Sequence, residues 1–406
     1  MAMTNTGSIQ WTGAGESCND AFSFWKLPED WRSELGYTIN ASAAVAEWYL
    51  FERYLRASAR RPPSSLHPYY LAKRFIPRRT RHRLQATFVK HRLPAFPRWP
   101  IETGLMVFWR DWLNSVLDHL GVDDAEHIGF WPDYNECCVV LTHDVESSEG
   151  IERIEGMADL EQKYGFRSAW NVPLAQYEFD WTRFERLRAR GFEVGAHGLC
   201  HDGRLFRSEA DFSRLRPKLE ALAREHQLRG FRSPSTLRRL EWVAAMDFDY
   251  DSSFADTDVY EAQPGGSCSI FPFFIGRMVE LPYTLPQDHT LINLLKCGDP
   301  TKLWFRKIEW IAATGGMILV LVHPDYIWDP KYRWAYEELL KRLCELRSAW
   351  RALPTEVAAW WRRRDRLRLV TRDNRLEIAG GDSTDARVRL VSSEPLLRGE
   401  SFWRAL

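Results

Sequence analysis

One ten-residue stretch constrains the fold more than any other: Cys137-Cys138-Val139-Val140-Leu141-Thr142-His143-Asp144-Val145-Glu146. Its short, β-branched, unbroken apolar run reads as a strand buried on both faces. The run leads straight into ionisable residues. In parallel α/β folds the chemistry collects at the carboxyl ends of strands, because the loops there converge on one crevice. His143, Asp144 and Glu146 are therefore candidate active-site residues. The plainer alternative is a strand followed by a polar loop.

From Cys137 onward, strand and helix patterns alternate. The spacing predicts strands over 167–172, 192–196, 230–232, 250–253, 278–281 and 317–322. It predicts helices over 150–164, 181–190, 208–227, 237–246 and 301–313, with Ser208 as a cap. Units of this length argue for a parallel sheet, closed or nearly closed into a barrel. The 406 residues accommodate such a barrel, which takes about 250 residues, plus flanking elements. Upstream, residues 43–56 and 101–120 have helical periodicity, and residues 1–20 predict a loose start. Downstream, 333–349 and 355–363 read as helices. Short alternations around Asp373-Asn374 and Gly380-Gly381 predict a small β hairpin or three-stranded unit. The expected class is α/β. A mostly helical amino-terminal region spans 1–130, a distorted (β/α) barrel 131–352, and a terminal helix with a small β hairpin unit 353–406.

Charge is balanced overall, with 55 basic and 55 acidic residues, so bulk charge selects no partner. Its distribution is uneven: no Asp or Glu occurs between Arg53 and Arg98. Within that span, residues 67–93 are basic and aromatic. Three readings compete there: a solvated helix face wrapping the barrel, a face toward an anionic membrane surface or lipid-linked glycan, and a nucleic-acid site. Nucleic acid is the weakest, since no recognised nucleic-acid module surrounds the patch. Met1 to Gln10 lacks the basic start and apolar run of a signal peptide, and no apolar stretch reaches the ~20 residues that span a bilayer. The seven Cys residues form no zinc-ribbon spacing and read as free thiols in a reducing compartment. The expected location is cytoplasmic, with association at a membrane surface as the variant. The 19 Trp residues are expected mainly in the core.

Three later segments repeat the strand-then-ionisable arrangement. Phe192 to His201 ends in His197 and His201, four apart, which places two imidazoles within reach of one metal ion. Two His and one carboxylate make an open site with room for water or a substrate oxygen. Gly230-Phe231-Arg232-Ser233-Pro234-Ser235 offers Arg232 as a two-pronged carboxylate partner. Ile318 to Asp325 delivers His323 after a fully apolar strand, a good general-acid candidate. Two other stretches are candidates for shaping the pocket. Pro264 to Ser269 reads as a flexible loop able to cover a site. Leu281 to His289 offers Gln287, Asp288 and His289 for substrate hydroxyls, or else forms a structural turn.

In this order the four segments resemble the polysaccharide deacetylase family, carbohydrate esterase family 4, also called the NodB-homology family. Thr142-His143-Asp144-Val145-Glu146 resembles the D-V-E variant of its first motif, and His197-Gly198-Leu199-Cys200-His201 its second, with Gly198 for a hydroxyl residue. Arg232-Ser233-Pro234-Ser235 resembles the third but continues in Thr236, and Leu321-Val322-His323 the fifth. The fourth has no clear match; Asp251-Ser252-Ser253 and Asp256 lie in its region without its Trp. The resemblance covers about residues 135–330. It implies a NodB-type barrel and metal-assisted amide hydrolysis. Glu146, His197 and His201 would hold a divalent ion, zinc by the resemblance, that polarises an acetamide and acidifies its water. Asp144 would be the base, oriented by Arg232, and His323 the acid. Backbone N–H near Ser235 would stabilise the oxyanion. The implied substrate is an N-acetylated amino sugar in a glycan, glycolipid or small sugar conjugate. Two alternatives stay open: hydrolysis of another C–N bond, as in a cyclic imide or ureide, and a glycan-binding scaffold without turnover.

Overall fold

The computed structural model describes residues 19–60, 62, 94–176 and 180–393. The basic 67–93 segment lies outside them. Thirteen strands are described: β1 (Asp124–Ile128), β2 (Cys137–Asp144), β3 (Ser168–Val172), β4 (Glu193–Ala196), β5 (Gly230–Phe231), β6 (Tyr250–Asp251), β7 (Phe273–Ile275), β8 (Met278–Glu280), β9 (Met317–Val322), β10 (Ala349–Arg351), β11 (Arg368–Arg372), β12 (Arg375–Ala379) and β13 (Val388–Ser392).

Nine of these build one curled sheet in the order β9-β2-β3-β4-β5-β6-β8-β7, with β10 beside the start of β2. All pairings in it are parallel except β7 with β8. The axis is β2 against β9, in register from Cys138↔Met317 to His143↔Val322. Every residue of both strands is buried, as the apolar run in each predicts. Each aliphatic side chain taken fully out of water there contributes roughly 1.5–3 kcal/mol. The open side of the curl is closed by the segment after β8, not by a strand. Thr284 N–H and Leu285 N–H both donate to Leu319 O of β9, and Thr284 Oγ1 accepts from Leu319 N–H at 2.9 Å. The result is a distorted, nearly closed (β/α) barrel.

Several expectations shift. β5 and β6 are two residues each, and the predicted 237–246 helix shrinks to Leu240–Val243. The end of the predicted 333–349 helix is instead strand β10, because residues 349–351 find a free edge beside β2. The small carboxy-terminal β unit is a two-stranded hairpin, β11 with β12. The third alternation, β13, pairs with β1 from the amino-terminal side, a strand that the sequence pattern did not reveal.

The helices Arg32–Leu50 and Gly104–Leu120 form the amino-terminal layer. The second buries Leu105, Met106, Trp109, Trp112, Leu113, Val116 and Leu117 along one stripe, ending at Gly121 in the left-handed conformation. This layer is tied to the segment after β5 by a buried Glu52–Arg238 ion pair, and to the loop after β6 by Tyr54 Oη donating to Gly266 O at 2.6 Å. The 264–269 stretch is therefore not a mobile cover: Gly265 to Ser269 are buried and paired with Ala255, Asp256 and Asp258. Gly266 is required there, since a Cβ would sit 2.2 Å from Asp256 O. The described cysteines are free, and no helix among the described residues is long and apolar enough to cross a membrane.

Candidate active site

Alternation along β2 sorts the ionisable knot. Successive side chains of a strand point to opposite faces. Thr142 and Asp144 point into the barrel, and His143 points out. His143 is fully buried against the helix Ser148–Lys163, with its Nε2 2.6 Å from Glu161 Oε1 and its ring 4.2 Å from that of Trp170. His143 is thus a core residue and not part of the site, because the strand continues through Asp144 instead of ending before it.

Asp144 is held from two directions. Asn171 Nδ2 donates to its Oδ1 at 2.9 Å, and Arg232 Nη1 lies 3.2 Å from the same oxygen. Arg232 is fully buried and spreads its guanidinium over Thr142 Oγ1, Ser252 O and Ser252 Oγ. Its contact with Asp144 is one-pronged, not the two-pronged one expected. Burial pushes the Asp144 carboxyl up, but His197, Arg232, His323 and the Asn171 hydrogen bond outweigh that and hold it below its ordinary value. Asn171 was not anticipated, its one signal being a lone amide in an apolar strand; register places it opposite Asp144.

Glu146, His197 and His201 bring one donor atom each to within 4.8 Å of one another. His197 sits just past β4, its Nδ1 3.0 Å from Arg232 O, which leaves Nε2 for the site. That Nε2 is buried with no hydrogen-bond partner among the described residues. Burial drives the His197 pKa down to about 4, so at neutral pH it is an uncharged imidazole with a lone pair. His201 Nε2 lies 2.8 Å from Glu146 Oε1. Two imidazoles and one carboxylate converging on a point, with a buried nitrogen of His197 unsatisfied, fit a divalent transition-metal ion. The turn between the two His needs Gly198: its φ is +75°, and a Cβ would meet Pro234 Cγ at 3.0 Å.

His323 follows β9 and faces the same point, its Nε2 3.8 Å from Glu146 Oε1. Its Nδ1 is 2.7 Å from Asp288 Oδ1, while Asp288 Oδ2 accepts from the His323 backbone N–H at 2.9 Å. Asp288, expected at substrate hydroxyls, is fully buried and holds His323 with both carboxylate oxygens. Gln287 is likewise engaged in a buried cluster, its Nε2 donating to Glu261 Oε1 at 2.9 Å and to Asp258 Oδ2 at 3.2 Å. Both side chains are engaged by protein partners, where the loop after β8 closes the barrel. Ser235, half-buried with φ 54°, lies in the 3-10 turn after Arg232. Two residues not anticipated complete the rim. Tyr326 Oη donates to Glu146 Oε2 at 3.1 Å, and Asp325 hydrogen-bonds the Ser147 hydroxyl.

Fold and site together define a distorted (β/α) barrel with a candidate mononuclear metal centre at its carboxyl mouth. No family model matches the sequence, and no curated protein matches it. Among solved structures the chain is similar to polysaccharide deacetylases and to an allantoinase. The PuuE allantoinase is 14% identical with a TM-score of 0.46, over 57% of this chain and 92% of that one. A polysaccharide deacetylase-like protein from Mycobacterium smegmatis is 20% identical with a TM-score of 0.44, over 57% and 92%. The peptidoglycan deacetylase PdaC from Bacillus subtilis, as a mutant, is 14% identical with a TM-score of 0.36, over 57% and 95%.

Proposed function

We propose that this chain is a metal-dependent hydrolase of carbon–nitrogen bonds that removes the acetyl group from an N-acetylated amino sugar. One observation carries the reading. The three-donor cluster lies between a carboxylate clamped by Arg232 and an imidazole clamped by Asp288. Base and acid for amide hydrolysis must be separate groups on two sides of the scissile bond. Asp144 reaches the cluster on the His197 side, with Oδ2 3.8 Å from His197 Nε2, and His323 reaches it on the Glu146 side.

Zinc held by Glu146, His197 and His201 would supply Lewis-acid polarisation of the acetamide carbonyl and a more acidic water. Asp144, ionised at neutral pH, accepts a proton from the attacking water as the new C–O bond forms. His323, protonated, hands a proton to the nitrogen as the C–N bond breaks. Acetic acid and the neutral amine leave, Asp144 releases its proton and His323 regains one, so atoms and charge balance; at neutral pH the products settle as acetate and an ammonium. Arg232 keeps the Asp144 carboxylate turned toward the site, and backbone N–H near Ser235 is the oxyanion donor of this proposal. The basic 67–93 segment is proposed to meet an anionic membrane surface or a lipid-linked glycan.

Mass spectrometry of acetamido sugars incubated with zinc-loaded protein tests the reading. Loss of one acetyl group per sugar is expected. Turnover of a cyclic ureide but no acetamido sugar would replace it with the other C–N hydrolase reading. No product from either, with full metal occupancy, would leave a scaffold.

A further inference from the structure

Gln176 lies just past β3 at the barrel mouth and has no part in the chemistry above. Its side chain spans the two loops that carry Glu146 and His201. Nε2 donates to the backbone carbonyl of Glu146 at 3.0 Å, and Oε1 accepts from the backbone N–H of His201 at 2.6 Å. A primary amide offers a donor and an acceptor at a set separation, so it can join a carbonyl and an N–H as a neighbouring strand would. The segment it belongs to is already fixed. Leu174 N–H donates to Gly198 O at 2.9 Å, and Ala175 N–H to Leu199 O at 2.7 Å. Gln176 carries this ladder one step further, across to the other loop.

The remaining cluster members are held differently. His197 takes its direction from the end of β4 and from Arg232 O. Glu146 and His201 stand on irregular chain beyond the strand ends, where no sheet pairing sets their separation. Their side chains nonetheless meet, Glu146 Oε1 to His201 Nε2 at 2.8 Å.

We infer that Gln176 is a positioning residue of the metal centre, setting the distance between the Glu146 and His201 donors through their backbones. The inference rests on the metal-site reading above. Groups of this kind around metal ligands change affinity by about 10–100-fold when removed.

Gln176→Met keeps the length of the side chain and removes both polar atoms. Gln176→Glu keeps the acceptor for His201 N–H and sets an oxygen against the Glu146 carbonyl. It carries the same test should the Met variant fail to fold. Zinc affinity is measured by competition with a chromogenic chelator, and ligand geometry by the visible absorption of the cobalt-loaded protein. A Kd raised about 10-fold or more, with an altered cobalt band, is expected. A wild-type Kd and cobalt band, with only a lower melting temperature of the metal-free protein, would overturn the inference and leave Gln176 a loop staple. His197→Ala separates the two levels of the argument: if wild type binds zinc no more tightly than His197→Ala, the metal reading itself is wrong.

Discussion

Asp288→Asn tests the acid half of the mechanism without touching the reacting groups. Burial alone would push the His323 imidazole toward its neutral form. The Asp288 charge and hydrogen bond, with Glu146 and Asp144 further away, overcome that and lift its pKa from 6.5 to about 10. A shift of that size corresponds to imidazolium stabilisation on the order of 5 kcal/mol. Asn keeps the shape of Asp and removes the charge, so burial becomes the dominant influence and the pKa falls to about 6.5 or lower. At pH 8 the protonated fraction then drops from nearly all to roughly 3% or less. Turnover of the zinc-loaded variant at pH 8 should fall at least about 30-fold, and its alkaline limb should move toward neutral pH. The imidazole itself is read by nitrogen NMR titration of the metal-free protein. The linkage has a definite sign. With the folded pKa raised, this pair's contribution to stability is whole below pH 6.5 and is lost as pH rises toward 10. Asp288→Asn should therefore destabilise the metal-free protein more at pH 6 than at pH 10. A His323 titration unmoved by the substitution, in a folded variant, would refute the reasoning.

Three further outcomes are expected. Asp144→Asn should cost about 10²–10⁴ in turnover while zinc stoichiometry, measured by elemental analysis, stays at the wild-type value; a variant that loses its zinc would make Asp144 a ligand instead. Gly198→Ser, which would restore the hydroxyl of the resembled motif, should lower the melting temperature by an amount equivalent to about 1–2 kcal/mol, since φ is +75° and Pro234 Cγ is 3.0 Å away; an unchanged melting curve would contradict that geometry. The full chain should co-sediment with anionic but not neutral vesicles at low salt and release at high salt; equal recovery on both lipids would remove the membrane proposal for residues 67–93.

Much of the site was legible because its donors come at strand ends. A fully buried strand has to be apolar, so the first ionisable residues after Leu141, Ala196 and Val322 stand out against it. That contrast exposed Asp144, Glu146, His197, His201 and His323. The same contrast misled at His143, where adjacency in sequence concealed opposite faces of the sheet. It also could not assign Asp288 and Gln287, which look alike as polar residues after a strand. Which partners they meet depends on where the barrel closes, and that closure is made by Thr284 and Leu285 against β9.

The sequence by itself determined the alternation of strands and helices, the buried central strand and the residue types at its mouth. Those follow from local periodicity and from the cost of burying charge. Only the tertiary structure decided which side chains share a point. Asn171 reaches Asp144 through strand register, Asp288 reaches His323 across 35 residues, and Gln176 joins Glu146 to His201 across two loops. Such pairings depend on register and closure, which arise from the packing of distant segments and leave no local pattern in the chain.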